Sequence, residues 1–405
     1  MESFCLKSGC ILLPPVETDW TRWACVACDQ FTSQPEYWEE VENLVGQAPS
    51  AYRLILPECR LDQASEEIPR IHSVMKAYEN FLVPGVEDGL ILTCRTTQSG
   101  ARLGLVCLLD LEQYEYQPGS SAPIRATEET IQSRIPARMR IRAGASLETS
   151  HVLLLMNEKE NRLLPELHAH RENLRPVYDF ELMHGGGSIS GWALEDKEQI
   201  SEIFASLSSL KTPGGLLFAV GDGNHSLASA KAWWEEVKSG LTREEQETHP
   251  ARFALVELVN IQDPAMRFAP IHRVLFQVKP EEFLRDWREF EKQWEEGEPT
   301  ITCVFASGEE KLYTPSGKLP VGVLQRWLDQ WLVSHPTTRL DYVHGDETAA
   351  RLGRAPDSLA LLLPVPEAGS LFDGVEQFGS LPRKTFSMGQ AEEKRYYLEC
   401  RRIIW

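Results

Sequence analysis

Long apolar runs are missing from this 405-residue chain, and so is any excess of positive charge: its net charge is -19. Without a stretch of roughly 18 apolar residues, no membrane-crossing helix is expected. The start, "MESFCLKSGCILLPP", has an early acid and only a short apolar run before Pro14, so no signal peptide is expected either. The negative balance argues against nucleic acid or an anionic membrane as partner. A second Cys-x-x-Cys is also missing. Cys25 and Cys28 have metal or redox spacing but no matching pair, and the nine cysteines are scattered. "RWACVACDQF" reads as a strand, where residues three apart point to opposite faces. The cysteines are therefore read as reduced thiols in a cytoplasm rather than zinc ligands or a redox pair. No internal repeat and no low-complexity tract is present.

What remains is an ordinary globular composition, long enough for two or three regions. Residues 1–120 mix strands and helices: a helix at 35–45 opening on Pro, a strand in "SAYRLILPE", a helix over 65–83. A hairpin over 89–114 turns at Gln98-Ser99-Gly100. Residues 121–278 hold a buried strand at 151–156 and two strands around the triple glycine of 177–194. A helix at 196–210 is capped by Asp196, and strands at 216–222 and 251–260 follow. Residues 279–405 open on a charged, solvent-facing helix ending at Gly297, then a helix at 322–334 and a strand at 358–365. Strands alternating with helices predict an α/β or mixed α+β core.

Three clusters have the residue types that phosphate chemistry needs. In "LLFAVGDGNHSLASAKAWW", an apolar strand runs into Gly221-Asp222-Gly223-Asn224-His225 and Ser226, and a helix starts at once. Leu227, Ala230, Trp234 and Val237 recur at helical spacing. Free N–H groups and the dipole at a helix start attract anions, and the glycines allow a ligand close to the backbone. Asp222 suits a divalent metal or a proton, His225 a phosphate oxygen; the plainer reading is a tight turn. The loop is not a Walker A sequence, since no Gly-Lys-Ser/Thr follows, and it fails the dinucleotide fingerprint.

The second cluster is Thr127-Glu128-Glu129-Thr130 with Arg125, Arg134, Arg138, Arg140 and Arg142 behind it. Surface ion pairs are the common outcome of such a run. Arginine forks also hold phosphate bidentately, and a nearby carboxylate can take a proton from a hydroxyl. The third is "LPRKTFSMG", with Arg383, Lys384, Thr385 and Ser387. His272 and Arg273, in "FAPIHRVLF", end a strand-like segment.

Taken together, "WACVACDQFTSQPEYW", "RATEETIQSRIPARMRIRAGA", "GDGNHSLASAK", "PARFALVELVN", "PIHRV" and "LPRKTFSMG" resemble the domain of unknown function 1015 family, in the branch with Cys28-Asp29-Gln30 in the first motif. In the wider family the loop more often reads Asp-Gly-His-His-Arg, where this chain has Asn224 and Ser226. The family's His-Glu-x-Thr is matched at Glu128 and Thr130 but not at the His. More distantly, the pattern resembles the ParB and sulfiredoxin-like group, which includes kinases of free serine.

The resemblance implies a ParB/sulfiredoxin-like core with a mixed sheet and flanking helices. It implies phosphoryl transfer from a nucleotide or pyrophosphate to a small hydroxyl compound. Glu128 would be the base, and Asp222 and His225 would serve phosphate and Mg2+. Arg134, Arg138 or Lys384 would stand in for the missing loop arginine. A nucleotide or phosphometabolite sensor and a phosphatase acting on a phosphorylated amino acid are the alternatives.

Overall fold

The hairpin expected at Gln98-Ser99-Gly100 is the spine of the larger part of the molecule. A computed structural model describes residues 4–32, 34–128, 135–382 and 384–405, with only the backbone at 136–137. The chain divides into two units, Met1–Met266 with Gly389–Trp405, and Arg267–Met388.

In the first unit the elements used below are β1 (Gly9–Leu13), α1 (Pro35–Val45), α2 (Ala64–Tyr78), β2 (Val83–Thr97) and β3 (Gly100–Asp110). They continue with β4 (Ile124–Ala126), α3 (Ile135–Arg142), β5 (Leu153–Met156), β6 (Phe218–Asp222), α4 (Asn224–Lys238) and β7 (Phe253–Asn260). The strands form one mixed sheet in the order β4-β6-β5-β7-β3-β2-β1, continued by Cys400–Arg402 and Leu147–Thr149. β2 and β3 pair antiparallel from Thr97 opposite Gly100 to Ile91 opposite Val106.

β7 is buried along its whole length, as a central strand with both faces covered should be. Its one acid, Glu257, is tolerated because Arg395 Nε lies 3.0 Å from its Oε2. At the far end of the path, Glu148 Oε2 accepts the N–H of Leu255 at 3.4 Å, so the sheet curls back on β7. The expected regions 1–120 and 121–278 thus share one sheet, and the chain divides at 266/267 and 388/389 instead. The mixed α/β class is as the alternation of elements predicted.

Three local expectations are corrected. "SAYRLILPE" is not a strand: Ser50 Oγ accepts the Tyr52 N–H at 3.2 Å and starts a 3-10 turn over Ala51–Leu54. "RWACVACDQF" is a short helix, Trp20–Trp23, followed by a two-residue strand, Cys25–Val26, because Asp19 caps the helix. The charged helix runs Pro280–Glu291 and buries Phe283, Leu284 and Trp287, so it is not solvent-facing throughout. Gly297 begins the next strand rather than ending this helix. High charge hid an apolar stripe at i, i+1 and i+4.

The second unit has its own sheet, in the order Gly308–Pro315, Gly297–Phe305, Ser358–Leu362, Phe268–Phe276 and Arg339–His344. Its helices pack aromatics against each other, Trp287 and Trp327 having ring centroids 5.0 Å apart. Among the described residues no helix is long and apolar enough to cross a membrane.

Candidate functional site

Two parallel strands set the site. β4 and β6 run side by side, Ile124 opposite Phe218 and Ala126 opposite Val220. Polar residues follow both: Thr127 and Glu128 after β4, and the loop to Ser226 at the end of β6. The carboxyl ends of neighbouring strands are where open α/β sheets bind ligands. Asn224 ties the two ends together. Its Oδ1 accepts the Thr127 N–H at 3.2 Å, and its Nδ2 donates to Thr127 Oγ1 at 3.3 Å and to the Val220 carbonyl at 3.4 Å. Thr127 Oγ1 in turn donates to that carbonyl at 2.6 Å. Glu128, half-buried, therefore follows directly on a residue pinned to the loop.

The helix after the loop starts without a side-chain cap. Gly223 holds the N-cap position with φ of 76°, in the left-handed region, and α4 runs on for 15 residues. Leu227, Ala230 and Trp234 form its buried face as their spacing predicted. The dipole of a helix of this length favours an anion at its start. Gly221 lies in β6 against Leu155, and His225 gives its carbonyl to the Ser229 hydroxyl at 2.7 Å.

Asp222 is the best-defined charge. Its Oδ1 accepts the Gly223 N–H at 2.9 Å, and its Oδ2 lies 3.2 Å from Lys394 Nζ, with each side chain 16% exposed. Burial alone would raise its pKa. Lys394 first, then His151 and the Gly223 N–H, outweigh that and hold the carboxyl below its usual range.

The expected Mg2+ role fares differently. Asp222 already faces a cation, and among the described residues no group of three His, Cys, Asp or Glu side chains is placed to hold a metal. A magnesium ion is commonly bound through one or two carboxylates and substrate phosphates rather than by a cage of protein ligands.

A hydrogen-bonded chain backs the loop. His151 is buried, with Nδ1 2.6 Å from Tyr397 Oη, and Tyr397 donates its hydroxyl proton to Cys28 Sγ at 3.1 Å. The imidazole is thus held from its Nδ1 side by Tyr397. A Cβ on Gly223 would lie 3.4 Å from His151 Nε2. Cys28 is no nucleophile: burial first, then the charge of Asp29, push its pKa up to about 12 against the lowering effects of Tyr397 and Arg138.

Cys28, Arg138, Arg142, His151, Ser226 and Tyr397 line one cavity. The first motif, the arginine helix α3 and the loop therefore meet. The arginine run does not act as a block. Arg138 pairs with Glu58, and Arg142 Nη1 pairs with Glu148 Oε1 at 2.9 Å. Arg140 is exposed, and Arg125 is buried in β4, donating to the Ala122 and Gly214 carbonyls, both at 2.8 Å. Asp29 accepts from Gln30 Nε2 at 3.0 Å, and the Gln30 carbonyl accepts from Trp38 at 3.2 Å, so this part of the motif is knit to itself and to α1.

Thr130, Arg134 and Arg383 lie outside the described residues. His272, Arg273 and Lys384 belong to the second unit. His272, fully buried, accepts the Leu363 N–H on Nδ1 at 3.1 Å and donates from Nε2 to Asp346 at 2.9 Å. Arg273 donates to Gln325 at 3.0 Å and to the Lys384 carbonyl at 2.9 Å.

Sequence reasoning missed His151, Lys394, Tyr397 and Glu148. A signal was present at the end of the chain: Arg395, Tyr397, Glu399 and Arg401 are polar at every second position, alternating with Tyr396, Leu398 and Cys400. All seven are buried. Alternation of that kind places a polar stripe on one face of an extended segment.

Comparison with solved structures finds a free serine kinase in complex with AMP at 12% identity and TM-score 0.38, covering 72% of this chain and 90% of that one. A conserved hypothetical protein from Pyrococcus furiosus matches at 11% identity and TM-score 0.35, covering 72% and 93%. SbnI with a C-terminal truncation, from Staphylococcus aureus, matches at 12% and 0.36, covering 70% and 82%. No curated protein matches the sequence. The model of one family, described as a protein of unknown function (DUF1015), matches residues 11–400. That match takes in both units and each motif above, and the chain belongs to the DUF1015 family.

Proposed function

We propose that the chain is a small-molecule phosphotransferase, a kinase of free serine or a similar small hydroxyl compound. The observation that supports this reading is the tie between Thr127 and Asn224, which puts Glu128 next in sequence to a residue pinned to the first residue of α4. Phosphoryl transfer asks for a carboxylate on the attacking hydroxyl and for N–H donors and cations on the moving phosphate. Glu128 supplies the first, and α4 with Lys394 the second. The acceptor oxygen would bond to the terminal phosphorus of the donor while the bond to the leaving phosphate breaks, and the hydroxyl proton passes to Glu128. Asp222 holds Lys394 in place, and His151 buttresses the loop from behind.

The test is formation of phosphoserine from serine with a magnesium nucleotide or with pyrophosphate, followed by phosphorus NMR. Glu128→Gln should lose about 100-fold or more in turnover, the usual worth of a positioned base, with donor affinity within about twofold of the wild type. Equal turnover in that variant would remove Glu128 from the role. Failure of every donor and small hydroxyl acceptor would overturn the reading as a whole.

A further inference from the structure

The motif "LPRKTFSMG" has no part in the site of the first unit. Its Thr385, buried, lines a cavity of about 370 Å³ that lies wholly within the second unit. Sites for small organic ligands run to roughly 300–1,000 Å³, so this one has room for a ligand of its own. Its walls come from the strand Gly297–Phe305, the starts of the helices Pro320–Ser334 and Ser370–Phe378, and the segment 363–367.

The apolar part is Leu319, Val321 and Leu363, all buried. Val365 extends it and is 62% exposed, so the apolar lining reaches the surface. The polar part accepts hydrogen bonds far more than it donates them. Glu298, Glu367 and Asp373 are exposed, and among the described residues none of these carboxylates is in an ion pair. Ser370 gives its hydroxyl proton to the Glu367 carbonyl at 2.7 Å, and Thr385 gives its own to the Pro382 carbonyl. Each therefore keeps only lone pairs for a ligand. Thr300 is engaged with Thr314 Oγ1 at 2.8 Å, and the prolines at 320, 364 and 366 have no N–H to offer. Two donor side chains stand against these acceptors, Lys318 and Gln377.

We infer that this cavity binds a small organic cation, an amine whose ammonium meets the carboxylates and whose hydrocarbon part lies against Val321, Leu363 and Val365. Three carboxylates against one lysine leave a local excess of negative charge, and a cleft lined by one sign of charge concentrates the opposite sign. A donor-only head group also matches an acceptor-rich wall. An anionic ligand would have Lys318 alone to meet it. The cavity shares no residue with the loop after β6, so this inference is independent of the phosphotransferase reading.

Calorimetric titration of the full chain with phenethylamine, 2-phenylethanol and 3-phenylpropionate compares one apolar body carrying a cation, a neutral group and an anion. The amine should bind about tenfold or more tightly than the alcohol, the usual worth of a charge-assisted hydrogen bond, and the acid more weakly than either. A net charge of -19 attracts any amine, so variants must locate the binding. Glu367→Gln and Asp373→Asn, both at exposed positions, should each weaken the amine about threefold, as the loss of one exposed charge does, and leave the alcohol unchanged. Glu198→Gln, an equally exposed acid in the helix Lys197–Ser208 of the first unit, should change nothing. Equal binding of amine and alcohol, tighter binding of the acid, or no binding of the amine would overturn the inference. So would equal weakening in Glu198→Gln, which would reduce the attraction to net charge.

Discussion

Lys394 Nζ stands 3.2 Å from Asp222 Oδ2, so the far end of the chain reaches back to the loop after β6 and sets its charge. Removing the ammonium in Lys394→Met leaves a largely buried carboxylate without its main partner, which costs about 3 kcal/mol. The pH dependence has a definite sign. Asp222 is held below the usual carboxylate range in the folded state, so its contribution is full above the unfolded value of about 3.9. It is lost as pH falls through the folded value. Urea unfolding of wild type and Lys394→Met should therefore differ by about 3 kcal/mol near neutrality, with the gap closing in acid below the ordinary carboxylate range. A gap that does not depend on pH would mean the pair is not what stabilises the loop.

Asn224→Ala tests the tie between β4 and the loop. The substitution strands the buried Thr127 N–H, whose acceptor is Asn224 Oδ1 at 3.2 Å, at a cost of about 1–3 kcal/mol. Its functional effect should be sharper than its effect on stability. Glu128 loses its fixed position relative to α4, so kcat should fall while donor affinity changes little. An unchanged kcat with lowered stability would make Asn224 a structural residue only.

Much of this was legible in the sequence because turn chemistry, apolar runs and one helical spacing are local signals. The hairpin of β2 and β3 followed from its β-rich runs and turn chemistry, the strand at β7 from its apolar run, and the buried face of α4 from apolar spacing. The loop was found by residue type. The Asp222–Lys394 and His151–Tyr397 contacts were not, because each joins residues more than 170 positions apart, and nothing local fixes which strand lies beside which. The arginine run shows the opposite error. Five arginines close in sequence looked like one basic patch, but Arg125 is used up inside β4 and Arg140 points to solvent. Among the described arginines of the run, the i, i+4 pair of Arg138 and Arg142 shares the cavity.

Gly223→Ala separates two costs. The residue sits at φ of 76°, and a Cβ there would lie 3.0 Å from Val152 Cγ2 and 3.1 Å from its Cα. The left-handed backbone alone costs an alanine about 1–2 kcal/mol. Gly215, at φ of 84° with no atom nearer than 3.7 Å to a Cβ, isolates that part. Gly215→Ala should lose about 1 kcal/mol, and Gly223→Ala distinctly more, together with anion affinity at the start of α4. Equal losses in the two variants would show that Val152 gives way without cost.

Cys28 has the spacing of a redox or metal cysteine but the surroundings of an inert one. Its pKa, pushed up to about 12 by burial and by Asp29, leaves about one thiol in ten thousand ionised at pH 8, and the thiolate is the reactive form. Iodoacetamide at pH 8 should leave Cys28 unmodified in the folded protein under conditions that alkylate the exposed Cys10. Unfolding in urea should make all nine cysteines react. Peptide mass spectrometry reads each site separately. Slow labelling keeps Cys28 as an acceptor for the Tyr397 hydroxyl, which also meets His151 behind the loop. Labelling of Cys28 as fast as Cys10 would instead make it a reactive thiol and reopen a redox role for the Cys25–Cys28 spacing.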